Sequence, residues 1–426
     1  MVKRITVFVA VALLLSCLAA CDSASSDKGL GMSANTTEQY ENNSFEGSLY
    51  EEEVTLRYVI PDVFGEYPGW ENILSEINKI TKNKINAYVE VELIPISEYS
   101  DKMNMKFVSG EKFDVCFAGA WNPYASAVAI NAYAELTNEM LITYAPNVME
   151  ELNQAAWDAI TVDGKIYGVP LQQVYVRQTG VRVATELADK YNFDPSTIAS
   201  LDDLDEYAAT IKRREPDAIP IFVSKSNLYE NMINYMGFDC LVSSNVPGAV
   251  YFAGDTTVVN QFETEEFKSL CQKVRQWNLA GYLPADAVFG AHSAHGKVYA
   301  IAFDPAHKPG GDITESQARG YSITGVPIGG GAMTTSAIQA TITAVSVTSK
   351  NPERALAFID LLNSDVELLN LFCHGIEGID YTFVEGSENV IEPISDYPGM
   401  YSFLIGNVFN EFHHGYFLFF FHKKPL

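Results

Sequence analysis

From residue 54 the chain alternates. Val54, Leu56, Tyr58 and Ile60 fall on one side, and Thr55, Arg57 and Val59 on the other, the period of a strand. Trp70, Ile73, Leu74, Ile77 and Ile80 then recur at helical spacing, which gives one apolar face. Alternation returns over 85–93, where Ile85, Ala87, Val89, Val91 and Leu93 share a side. A second helix is expected over 98–108, and the apolar run 113–118 reads as a third strand. The order β-α-β-α-β predicts an α/β fold, a parallel sheet with helices on its faces.

Ligands of such sheets bind beyond the carboxyl ends of the strands. Two turn-forming segments fall there, PDVFGEYPG at 61–69 and GAWNPY at 119–124. They make Asp62, Tyr67, Trp121, Asn122 and Tyr124 candidate contacts. Further along, Leu201, Leu204, Tyr207, Ala208 and Ile211 form an amphipathic helix, with Ser200 as its N-cap. Residues 298–303 read as a strand. Asn351-Pro352 opens another helix, cap then first-turn proline, whose inner face is Ala355, Leu356, Phe358, Ile359 and Leu362. The chain has no internal repeat.

The two ends break this pattern. Lys3 and Arg4 precede an apolar stretch, 5–15, shorter than the roughly 20 residues of a membrane span. That is the layout of a secretory signal. Leu18-Ala19-Ala20-Cys21 resembles the bacterial lipobox, in which the cysteine becomes the lipidated first residue. Residues 1–20 are therefore expected to be a lipoprotein signal peptide. Cys21 is the expected anchor, on the extracellular or periplasmic face of the cell membrane. Residues 21–53, polar and rich in Ser, Asn and Glu, read as a disordered tether. At the other end, HHGYFLFFFHKKPL at 413–426 reads as an aberrant or truncated tail; a packed terminal strand is the competing reading.

Composition changes the picture in three places. The 426 residues suggest two domains. A formal net charge of -26 disfavours nucleic acid and anionic lipid as partners. Beyond Cys17 and Cys21, the four cysteines Cys116, Cys240, Cys271 and Cys373 have no C-x-x-C spacing. They are buried free thiols or widely spaced pairs, Cys240 with Cys271 for example.

Catalytic signatures are missing. The chain has no G-x-S-x-G, no H-E-x-x-H and no P-loop. Gly329-Gly330-Gly331 reads as a flexible loop. His292 and His295 have helical spacing for a metal, but no third ligand stands nearby, so a solvated pair is expected. No catalytic residue, metal or cofactor is assigned.

Several segments, taken in order, carry a family resemblance: GEKFDVCFAGAWNPYASAVAINAYAELT at 110–137, DGKIYGVPLQQ at 163–173, GYSITGVPIGGG at 320–331, AVSVTSKNPERALAFIDLLNSD at 344–365 and LFCHGIEGIDYTF at 371–383. Together with the lipobox, they resemble the extracellular solute-binding lipoproteins of bacterial ABC importers. The type is the sugar-binding one related to maltose-binding protein, in a subgroup with an uncharacterised C-terminal region. The resemblance implies a two-lobe periplasmic-binding-protein fold of type II, with a hinge and an interlobe cleft. It places lobe 1 at 54–168 plus 296–328, and lobe 2 at 169–295 plus 329–412. It implies a monomer that captures a solute, hands it to the membrane subunits of a permease, and performs no reaction.

Sugars offer apolar faces rimmed by hydroxyls, which flat aromatics and planar hydrogen-bonding groups match. Gln172, Gln173, Tyr175, Asn227, Tyr229 and Tyr381 join the candidates on that ground, and Asp304 joins them by its place after a strand. Tyr175, Tyr229 and Tyr381 have an equal claim as core residues. An oligosaccharide is the expected ligand, with a peptide or other solute possible in the same fold. The alternatives of another class are a surface glycan-degrading enzyme, or a glycan-binding or sensory lipoprotein without a permease.

Overall fold

The structure is a computed structural model that describes residues 45, 48–119, 124–223, 227–241, 244–253, 256–285, 287, 297–308 and 311–414. Residues 1–44, with the signal peptide, Cys21 and most of the tether, lie outside the described residues, as do Trp121, Asn122, His292, His295 and 415–426.

Strands β1 (Val54–Asp62), β2 (Ala87–Pro95), β3 (Val115–Ala118) and β4 (Val169–Pro170) come first. Then follow β5 (Val176–Arg177), β6 (Gly180–Ala184), β7 (Ile219–Ile221), β8 (Phe238–Cys240), β9 (Ala249–Tyr251), β10 (Tyr299–Asp304) and β11 (Ile323–Pro327). The last are β12 (Ala332–Met333), β13 (Ile342–Val345), β14 (Tyr381–Phe383), β15 (Val390–Pro393) and β16 (His413–His414).

The first sheet has the order β2-β1-β3-β13-β4 and the second β11-β6-β10-β7. β1 runs parallel to both β2 and β3, as the β-α-β-α-β reading requires. Helix Trp70–Ile85 buries Ile73, Ile77, Ile80 and Ile85. Ile85 thus belongs to the helix rather than to the second strand, because Asn86 in the left-handed conformation ends the helix there. Helix Ile96–Ser109 returns the chain to β3. Ser200 forms a capping box with Asp203, but over a short 3-10 turn; the α-helix proper is Asp205–Arg214.

The division into lobes differs from the expected one. β10 pairs with β6 and β7, and β11 with β6, so 299–327 belongs to the second lobe and not the first. β13 slots between β3 and β4, antiparallel to both. Helices Pro352–Ser364 and Val366–His374 pack into the first core, with Phe358, Ile359, Leu368 and Phe372 wholly buried. From residue 342 the chain is therefore first lobe and not second. The physical cause is burial: Ile342, Ala344 and Val345 are fully covered only between those strands.

The tether boundary and the tail boundary also move outward, toward the two termini. Arg354 lies over the Tyr50 ring at 4.6 Å and bonds the carbonyl of Glu52, so the last residues before β1 are docked. His413 and His414 pair in parallel with Val390 and Ile391, so that part of the tail is a strand. The four described cysteines are free thiols; Cys116 and Cys373 are buried, and Cys271 is exposed.

Two crossings join the sheets, 171–179 and 328–341, and within them β5 pairs antiparallel with β12. β4 runs with β3, so the first crossing leaves the first sheet at its carboxyl edge. β6 opposes β10, so the same crossing enters the second sheet at the edge where β10 ends. The return leaves β11 at that edge and enters β13 beside the end of β3. The carboxyl edges of the two sheets are thus tied together by a two-stranded hinge.

Candidate functional site

At the first edge, Asp62 ends β1. Its Oδ1 accepts hydrogen bonds from the backbone N–H groups of Phe64 and Gly65, at 3.1 and 2.8 Å, and from the Tyr67 hydroxyl at 3.0 Å. This turn fixes the loop. The Tyr67 hydroxyl is pushed up to about 12 by burial and then by the Asp62 carboxylate. Its ring lies 6.2 Å from Trp70 and 6.1 Å from Tyr397. Gly119 ends β3 with no room for a side chain, since a Cβ there would stand 2.5 Å from the Ala340 carbonyl oxygen. That contact locks the edge between β3 and β13.

Sequence reasoning missed the most exposed part of this edge. Phe64 lies 5.3 Å from Tyr401, and Tyr401 stacks on Phe403 at 5.1 Å and 16°. The three are 42%, 44% and 39% exposed. Large aromatics in mutual contact at a strand edge, yet open to water, are an informative exposure. Phe64 sits inside the PDVFGEYPG segment. Its partners arrive from 337 residues away, and no local pattern announces that meeting.

At the hinge, Gln173 is buried and its Nε2 donates to Thr341 Oγ1 at 2.6 Å, binding one crossing to the other. Gln172 accepts from Asn407 Nδ2 at 3.3 Å, and its carbonyl from Val408 N–H at 3.0 Å. Asn407 also donates to Glu151. The C-terminal segment is thereby held against the first crossing.

Several expected contacts are structural instead. Tyr124 is 1% exposed; its hydroxyl donates to Ile160 O at 3.0 Å, and its ring stacks on Tyr133 at 6.0 Å. Helix Tyr124–Ala129 turns it into the core. Tyr175 is buried with its hydroxyl on Leu171 O at 2.9 Å. Tyr381 is buried against His374, Phe383 and Phe412. Tyr229 is half-buried beside Phe262 and Phe267 in the second core. Asp304 does end β10 at the cleft edge, but its Oδ2 accepts from Arg182 at 2.8 Å and its Oδ1 from Ala306 N–H at 3.1 Å. Asn227 begins a helix, and its side chain is outside the described residues. Of the expected set, Asp62 and Tyr67 are bonded to each other beyond β1, and Gln172 follows β4 at the other side of the same sheet. Among the described residues no group of three His, Cys, Asp or Glu side chains could hold a metal.

A two-lobe α/β chain with paired crossings meets a known family over most of its length. The profile described as bacterial extracellular solute-binding protein matches residues 76–372. The chain belongs to that family. A carbohydrate ABC transporter substrate-binding protein of Streptococcus pneumoniae is 28% identical over 335 residues, 77% of this chain. The match spans 66% of that relative's length. The crystal structure of the N-glycan transport solute-binding protein NgtS of S. pneumoniae superposes with a TM-score of 0.75 at 26% identity, covering 85% of this chain and 79% of the other. The same protein in complex with Man1GlcNAc gives 0.65 at 24% identity, covering 85% and 80%. This solute-binding chain therefore has the two-lobe type II fold, and its family is an extracellular one.

Proposed function

We propose that this chain captures an oligosaccharide between its lobes and delivers it to the membrane subunits of an ABC importer. In this reading it works from the outer face of the membrane, held by lipid on Cys21, and catalyses no reaction. The observation that carries the ligand class is the exposed aromatic edge of Phe64, Tyr401 and Phe403 beside Asp62. Flat rings match the apolar faces of sugars. Asp62 uses one oxygen for its own turn, so Oδ2 is the atom to receive a sugar hydroxyl. Family membership supports the same reading, as do relatives named for carbohydrate and N-glycan transport.

The test is a thermal-shift screen over oligosaccharides and peptides, followed by calorimetry on the best ligand. A ligand at 100 times its Kd should add about 2.7 kcal/mol of stability. The double variant Phe64→Ala/Tyr401→Ala should bind about tenfold or more weakly, because each lost aromatic contact is worth about 0.5–1.5 kcal/mol. Stabilisation by peptides and by no oligosaccharide would overturn the reading.

A further inference from the structure

The second lobe brings two cations to the cleft edge, and among the described residues no acid forms an ion pair with either. Arg177 lies on β5, in the first crossing. Lys308 follows the carboxyl end of β10. The loop between Asp304 and Lys308 is fastened to that crossing, since His307 N–H donates to Gln178 O at 2.7 Å. The approach is close: a Cβ on Gly180 would stand 3.1 Å from Asp304 Cβ and 3.2 Å from His307 Cβ. Gln178 in turn donates to Gly329 O at 2.7 Å, so both crossings frame the place.

Arg177 is half-buried, and burial lowers its pKa. Lys308 is lowered too, first by burial, then by Arg177, with Asp304 opposing. Lys308 is nevertheless open to solvent, as a long side chain is when its stem is crowded and its tip meets water. Among the described residues neither cation forms an ion pair. The nearby carboxylate, Asp304, is already engaged by Arg182 at 2.8 Å. Three other partly buried cations pair with acids, Lys106 with Glu92 and Glu111, Lys273 with Asp202 and Asp205, and Arg319 with Glu315, while the buried Arg354 is held by backbone carbonyls. With 54 acidic against 28 basic residues, two neighbouring cations with no ion pair among the described residues leave room for an anion from outside the chain. A planar guanidinium fork beside an ammonium is the donor set that receives a carboxylate.

We infer that Arg177 and Lys308 together receive a carboxylate carried by the captured solute, which makes the ligand an acidic oligosaccharide containing a uronic acid residue. The inference rests on the proposed capture of an oligosaccharide, and it adds that ligand's charge. The site lies on the second sheet's edge, across the hinge from the aromatic edge of the first. One lobe would then hold sugar faces and the other the acid group.

The test uses the full chain and matched neutral and acidic oligosaccharides of equal length and linkage: manno with mannuronate, gluco with glucuronate and galacto with galacturonate. At least one acidic member should bind tenfold or more tightly than its neutral counterpart. That preference should fall about tenfold in Arg177→Gln and in Lys308→Gln, because charge-assisted hydrogen bonds are roughly twice as strong as neutral ones. Equal affinity within every pair would overturn the inference. So would an equal loss for acidic and neutral members, which would make the two residues part of hinge closure. If no oligosaccharide binds, the function proposed above fails, and the anion site is then read with malonate alone. A malonate-dependent rise in melting temperature that vanishes in the double variant keeps the site; no rise, or one that survives, removes it.

Discussion

The helix Pro352–Ser364 of the first lobe buries Arg354, Asp360 and Asn363 among its apolar residues. Beside the second sheet, the helix Gly311–Arg319 keeps Glu315 and Arg319 within reach of water. The polar groups of the first helix are satisfied largely by backbone. Arg354 donates to the carbonyls of Glu52, Ile85 and Asn86, and Asp360 accepts from Val148 N–H at 2.9 Å and from Asn147. Those of the second lobe are satisfied by other charges: Arg182 spans Asp304 and Glu315, and Glu315 meets Arg319. These two helices are therefore held differently, the first by backbone contacts and enclosure and the second by ion pairs, although the first lobe has ion pairs of its own, Arg57 and Lys106 with Glu92 and Glu111. Stability around the first helix should answer to packing and burial, and that around the second to ionic strength.

The largest test of that contrast is Phe358→Ala. The ring is fully buried and lies edge-on to Tyr58 at 5.5 Å. Truncating a core phenylalanine costs about 3–5 kcal/mol. Urea denaturation should show an earlier transition, insensitive to salt. A midpoint within error of the parent would mean that this helix is not held by enclosure.

How much of this could be read beforehand follows the range of each signal. The strands and helices of 54–118 were legible because alternation and helical spacing are local. The lobe partition was not. β13 is four buried residues, three of them apolar, that could lie in either sheet; its place between β3 and β4 rests on partners more than 170 residues away. The site divides likewise. Asp62 and Tyr67 are candidates because they follow a strand, and the structure does put them at its carboxyl end. Tyr124 follows one too, yet a short helix carries it into the core. The aromatic edge went unread because Phe64 and Tyr401 meet only in three dimensions.

A second test uses acid on the first lobe. His374 is buried at the end of its helix, within hydrogen-bonding distance of Phe412 O at 3.2 Å and 3.7 Å from Glu411. Burial, then the neighbouring His414, lowers its pKa from 6.5 to about 4. In the unfolded chain the imidazole takes a proton first as pH falls. Stability from the neutral, buried ring is therefore complete above pH 6.5 and is lost as pH falls toward 4. At about 1.4 kcal/mol per pKa unit the loss approaches ~3 kcal/mol. Denaturation of the parent and of His374→Gln across that window should show the parent's advantage shrinking with acid. A constant difference would break the account.

The smallest effect belongs to the second lobe and completes the contrast. Arg182→Met removes a guanidinium that joins Asp304 to Glu315. Glu315 keeps Arg319, but Asp304 keeps only the Ala306 N–H at 3.1 Å. Both partners of the Arg182–Asp304 pair have limited exposure, 21% and 11%, so the bond is worth more than a surface pair. It is still worth less than a fully buried one, because water screens it. A loss of about 1–2 kcal/mol follows. It should shrink in 1 M salt, where the screening length is about 3 Å, whereas the Phe358→Ala loss should not. The variant also frees a carboxylate beside Lys308, whose pKa Asp304 already raises. Asp304 can then turn to Lys308, which would weaken any acidic ligand while sparing the aromatic edge of the first lobe. Parent and variant compared at low and high salt, with and without ligand, separate the two consequences. A salt-independent loss would place Arg182 with the enclosed groups of the first lobe and erase the distinction between the two.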